Sequence, residues 1–174
     1  MKPSAIASLT ILFIAFAVAY AQENASRVSA VKSTPQWEKI KSLVGEWDGY
    51  TMENSQKTPA HVSVRMTGDG SALMHVIGTG TPHEMVTMFH LDQSELLATH
   101  YCAAHNQPRL RAVPSSQPGQ IKFEFKDGTN IRPGDGHMQQ LVVTFVDADH
   151  HNEAWGYQSN GKVETAMFYL ARVK

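Results

Sequence analysis

The sequence predicts an all-β domain: a single antiparallel meander closed into a barrel of about 8–10 strands, with one short helix before it. Three observations predict it. From Trp47 onward, residues rich in Val, Thr, Met and aromatics fall into short runs with period-two alternation. The runs are separated by turn residues such as Gly68-Asp69-Gly70, Asp92-Gln93-Ser94, Pro118-Gly119 and Ser159-Asn160-Gly161. The connections are also too short for parallel crossovers, which need a dozen or more residues. A two-sheet sandwich is the competing architecture. Closure is preferred because it leaves no unpaired edge strand.

The helix comes first. Thr34 is placed to cap it and Pro35 suits its first turn. Trp37, Ile40, Lys41 and Val44 share one face with Leu43 beside them, and Gly45 ends the helix. The expected strands are 46–53, 60–67, 71–79, 84–92, 95–104, 108–114, 119–126, 138–147, 151–158 and 163–173. The stretch 127–137, with Gly128, Pro133, Gly134 and Gly136, reads as a longer loop.

Ahead of this domain, residues 1–21 have the form of an export signal. Lys2 gives a positive start, Ala5 to Val18 is an uncharged apolar run, and Ala19-Tyr20-Ala21 offers small residues where a signal peptidase reads. The run is short for a spanning helix, which needs roughly 20 apolar residues. Cleavage before Gln22 therefore leaves about 153 residues: a polar leader over 22–33 and a barrel domain over 34–174. The expected location is periplasmic or secreted.

The mature part has a formal charge near −2 and no basic stripe, so a nucleic-acid partner is not expected. It has no second apolar stretch long enough to cross a membrane, so no stable membrane insertion is expected after cleavage. Cys102 is the only cysteine, which rules out an internal disulfide. An exposed free thiol in an exported protein invites oxidation and dimerisation, so a homodimer stays open.

Gly45-Glu46-Trp47, where the helix hands over to the first strand, is similar to the Gly-x-Trp signature that opens lipocalin-like (calycin) barrels. That resemblance covers residues 35 to 174. It implies that Trp47 packs on the barrel floor and that Arg172, near the end of the last strand, lies over its ring as a cation–π contact. The segments Glu84 to Asp92, Thr99 to Cys102, Asn106 to Arg109, Asp135 to Met138 and Val146 to His150 resemble a family of exported bacterial proteins known mainly as domains of unknown function. This second likeness implies the barrel and carries over no activity.

Strand parity places the candidate site residues. His100 and Cys102 share a face with Leu96 and Ala98, and inward is the preferred direction because an exposed thiol is a hazard. His137 and Gln139 stand at the mouth of the apolar face formed by Leu141, Val143 and Phe145. Glu153 shares a face with Trp155 and Tyr157, and Arg109 shares one with Arg111. A lumen holding His100, Cys102, Arg109, His137 and Glu153 would be polar at one end and apolar at the other, as small-molecule pockets are.

Metal binding has the pair His100-x-Cys102 as its motive, with His90 or His137 as a third ligand. The competing reading is a hydrogen-bonded buried histidine beside an inert thiol; no His-Glu-x-x-His or Cys-x-x-Cys occurs. His150-His151, after Asp147 and Asp149, reads as a solvated turn. Met66, Met74, Met85, Met88, Met138 and Met167 read as core filler. A Cys102–His100 nucleophile pair or a Glu153–His137 acid–base pair lacks a visible oxyanion hole or orienting group. No cofactor is indicated. The expected function is an exported barrel that binds a small, partly apolar molecule in its lumen. The alternative is a small-molecule enzyme or metal-binding protein using His100, Cys102 and His137. A barrel with a filled core, serving structure or a partner, is the third possibility.

Overall fold

The computed structural model describes residues 32–174; the expected signal at 1–21 and the expected leader as far as residue 31 lie outside the described residues. The domain consists of α1 (Pro35–Lys41) followed by β1 (Gly45–Glu53), β2 (Gln56–Thr67), β3 (Ala72–Ile77), β4 (Met85–Asp92) and β5 (Glu95–Tyr101). It continues through β6 (Gln107–Val113), β7 (Gln120–Thr129), β8 (His137–Phe145), β9 (His150–Ser159) and β10 (Lys162–Arg172). Each strand pairs antiparallel with the next, and β1 closes on β10, so the sheet is one closed barrel. All ten expected strands are present and the sandwich is excluded.

Local chemistry sets the boundaries. Thr34 accepts the Trp37 amide at 3.2 Å and Pro35 occupies the first turn, so α1 starts where the cap predicts. The helix stops at Lys41, three residues earlier than its apolar face suggested. Leu43 then turns in beneath the barrel while Val44 is left exposed. Hairpin reversals use left-handed residues at Asn54 and Ser55, Asp69, Gln93, and Asn160 with Gly161. β5 ends at Tyr101 rather than 104, because the chain reverses there: the Cys102 amide donates to Asn106 O at 3.1 Å and the His105 amide to Cys102 O at 3.0 Å.

The end of the barrel beneath α1 is its floor; the opposite end, with the turns β1–β2, β3–β4, β5–β6, β7–β8 and β9–β10, is its mouth. On the floor Trp47 is fully buried and donates its indole N–H to Leu43 O at 2.7 Å. Arg172 lies opposite Trp47 in the β1–β10 register, with its guanidinium carbon 4.1 Å from the Trp47 ring centre. Gly45 has φ +140°, and a Cβ there would meet Arg172 Nη1 at 2.5 Å. A side chain at 45 would thus displace the guanidinium.

Inward-facing residues line up in cross-strand rows. The lower row runs Leu73, Phe89, Ala98 and Leu110 across β3 to β6, and all four are buried. The row one inward step above runs His75, Thr87 and His100 across β3 to β5. Above that, Ile77 faces Met85. On the β3–β5 wall the interior is therefore apolar in its lower row, polar at mid-height and apolar again below the mouth.

Candidate functional site

The polar row is completed from the opposite wall by β9. Glu153, His151 and Trp155 alternate inward along it, and all three are buried. Glu153 Oε1 receives His75 Nε2 at 2.8 Å and His151 Nε2 at 3.0 Å. Its other oxygen accepts the Trp155 indole N–H at 2.8 Å. Thr87 Oγ1 and His100 Nδ1 are 2.8 Å apart. The Trp155 ring centre lies 5.1 Å from that of His100 and 6.0 Å from that of His75, so one aromatic surface touches both imidazoles. His151 meets the Trp47 ring edge-on at 4.2 Å, which joins this cluster to the floor.

Burial alone would push the Glu153 carboxyl up. The charge of His75 and the hydrogen bonds from His151 and His75 outweigh it and hold Glu153 well below the usual carboxylate range. His100 behaves oppositely. Burial, with the charge of His75 adding to it, pushes its imidazole down to about 4, so His100 is neutral at ordinary pH. Among the described residues, four buried side-chain polar atoms have no partner: His75 Nδ1, His100 Nε2, His151 Nδ1 and Asn106 Oδ1. Buried polar groups are normally satisfied. Three of these atoms belong to one cluster of imidazoles around Glu153 and Trp155.

Beyond the apolar layer a pocket of about 610 Å³ opens at the mouth. Its inner wall includes Thr51, Ala60, Ile77, Met85 and Phe168, and the β3–β4 loop contributes Gly78, Thr79, Thr81 and His83. Ile77 and Met85 stand one inward step above His75 and Thr87, and Phe168 lies directly opposite Glu153 in the β9–β10 register. One layer of apolar side chains therefore separates the mouth pocket from the histidine cluster.

The five residues picked out from the sequence are not brought together. His100 and Glu153 lie in the buried cluster. His137 is buried elsewhere, at the mouth end of β8. Its Nδ1 is 3.1 Å from Asp135 O, its Nε2 is 3.1 Å from Gln139 Oε1, and its ring packs on Phe125 at 4.4 Å. It borders a second pocket of about 460 Å³ with Ile131, Arg132 and Gln158. Cys102 is half-buried in the β5–β6 turn, outside the strand whose parity would have aimed it inward. It lies close to Tyr157, whose hydroxyl is shifted up by burial, by Cys102 and by Asp135. Arg109 is exposed and paired with Asp127, because the inward position of β6 is taken by Leu110. The expected lumen position of Arg109 is corrected accordingly.

The mouth is tied across its loops. Asn106 Nδ2 donates to Gly136 O at 2.8 Å, and Gly136 passes so close over the Tyr157 ring that a Cβ would collide with it. Among the described residues no group of three or more His, Cys, Asp or Glu is arranged to hold a metal ion. His100, Cys102 and His137 in particular do not form one.

Two members of the cluster were missed. The sequence reads His150-His151 as a solvated turn; β9 instead begins at His150, so His150 faces out to Asp147 and His151 faces in. The signal was available, since residues 151, 153 and 155 share one strand face. His75 sits between Leu73 and Ile77 on the same face, a histidine in phase with core positions.

No protein-family model matches the chain, and no curated protein matches it. Among solved structures the barrel is similar to Rv2717c from M. tuberculosis, with a TM-score of 0.55 at 16% identity, covering 82% of this chain and 100% of that one. It is also similar to a protein of unknown function of the DUF3598 family from Nostoc punctiforme, with a TM-score of 0.54 at 14% identity. That match covers 77% of this chain and 48% of the other, so this chain spans about half of its length. Both likenesses concern the fold.

Proposed function

We propose that this chain is an exported, lipocalin-like barrel that binds a small, partly apolar molecule through its mouth. One observation carries the reading: the imidazoles of His75 and His100 are buried with unpartnered ring nitrogens, one layer beneath a pocket of about 610 Å³. Apolar walls with a few convergent polar groups are the usual make-up of a ligand site. The apolar part of the molecule lies against Ile77, Met85 and Phe168, and its polar end reaches the cluster when these side chains part. Export is supported by the signal-like residues 1–21, and the lipocalin-like assignment by the Trp47–Arg172 stack at the closed end.

Native mass spectrometry of the exported protein tests this directly. The expected result is a chain beginning at Gln22 that carries a small organic molecule, lost on denaturation. A chain that is bare as isolated, and that also fails to bind an apolar fluorescent dye at its mouth, would overturn the binding reading. Retention of Met1 would overturn the export reading alone.

A further inference from the structure

The hydrogen-bonding state of the cluster specifies the polar end of the ligand; this step rests on the reading of the barrel as a small-molecule binder. Glu153 is a carboxylate and only accepts, so His75 and His151 each donate to it from Nε2. In the neutral ring the other nitrogen, Nδ1, is a bare acceptor, and in both residues that atom is buried without a partner. His100 is constrained from the other side. The buried Thr87 hydroxyl has His100 Nδ1 as its hydrogen-bond partner, and a buried hydroxyl must place its proton. Thr87 therefore donates to Nδ1. Neutral His100 then carries its own proton on Nε2, as an N–H donor with nothing to receive it.

The row His75–Thr87–His100 thus offers one free acceptor on β3 and one free donor on β5, on either side of Thr87, both rings flanked by Trp155. Each charged head group meets an opposing feature. A carboxylate would enter beside the buried Glu153, whose charge is already met by three N–H groups. An ammonium would face the His100 N–H and find no unshared carboxylate oxygen. A hydroxyl supplies both complements in one small neutral group. We infer that the barrel binds an uncharged apolar alcohol, whose oxygen accepts from His100 Nε2–H and whose proton goes to His75 Nδ1 directly or through one water.

Three probes with the same hydrocarbon tail separate the possibilities: decanol, decanoate and decylammonium, titrated into the delipidated protein at pH 7 and followed by tryptophan fluorescence. Decanol should bind roughly tenfold or more tightly than either charged probe, since decanoate leaves the buried acceptor unmet and decylammonium the buried donor. His100→Phe should reduce decanol affinity by about tenfold and erase the preference. Nitrogen NMR of the unmutated protein gives a readout that needs no variant: His100 protonated at Nε2 and His75 bare at Nδ1. Decanoate or decylammonium matching decanol, or the opposite tautomer at His100, would overturn the alcohol assignment while leaving a binding barrel. Failure of all three probes to bind would overturn the binding reading itself, and the alcohol assignment with it.

Discussion

The guanidinium of Arg172 lies over Trp47, 4.1 Å from the ring centre, and donates to Val44 O at 2.7 Å and Ser42 O at 2.9 Å. One side chain from the last strand thus satisfies two carbonyls at the end of α1 and covers the first inward residue of β1. Closure of the barrel and closure of its floor depend on the same contact. Trp47→Ala should cost roughly 3–5 kcal/mol, as a truncation of a large buried side chain. Arg172→Ala should cost roughly 2 kcal/mol, from the lost stacking and the two carbonyls left bare. Urea unfolding midpoints of the two variants check both values. A Trp47→Ala midpoint equal to that of the parent would dissociate the tryptophan from the floor.

Arg109 provides a contrast. It is exposed, and its ion pair with Asp127 spans the outer face of β6 and β7. Exposed pairs contribute little to stability. Arg109→Ala should therefore unfold at the same urea concentration as the parent and bind apolar probes unchanged. A loss of probe affinity would return Arg109 to the site.

The barrel was legible because its signals are local. Period-two runs and turn residues fix ten strands one after another, and closure follows from their number and short connections. Parity was legible only where a strand runs through the residue in question. His100 lies inside β5 and faces in as expected, whereas Cys102 lies one residue beyond the end of that strand and loses its parity. Arg109 failed for a related reason. The β6 face that buries Leu110 was the one that could be filled, and alternation then sends Arg109 and Arg111 outward. Glu153 was placed on the right face, but its partners could not be read. His75 is 78 residues away in sequence, and only the curvature of the barrel brings β3 opposite β9.

Stability should fall on mild acidification. The folded His100 titrates at about 4 against an ordinary value of 6.5, so between these values the unfolded chain holds more protons than the folded one. The contribution is complete above pH 6.5 and is lost progressively down to about 4, amounting to roughly 3 kcal/mol. Glu153, held below the carboxylate range, adds a loss of the same sign as the pH falls through its unfolded value. Urea midpoints measured from pH 8 to 4 should decline with the steepest slope below 6.5. His100→Phe should flatten the part of that slope lying above about pH 5. A profile unchanged by this substitution would mean that His100 is not buried as a neutral ring.

Glu153→Gln tests the centre of the cluster. The carboxylate accepts three N–H groups: two imidazoles on Oε1 and the Trp155 indole on Oε2. A glutamine has one oxygen and one amide. If its oxygen serves His75 and His151, its NH₂ faces the indole N–H of Trp155, donor against donor. If it is turned to serve Trp155, the NH₂ meets two imidazole nitrogens that must then shed their Nε2 protons and carry them on Nδ1. Neither orientation keeps the native set. Removing one partner from a buried charged network typically costs about 3–5 kcal/mol. Glu153→Gln should fall in that range despite its nearly unchanged volume, and Trp155 fluorescence should shift with it. Glu153→Asp keeps the charge but withdraws it by one methylene, and should cost less than Glu153→Gln if charge rather than reach dominates. The reverse order would mean that the carboxylate serves as a spacer between the walls, with its charge of little consequence to the fold.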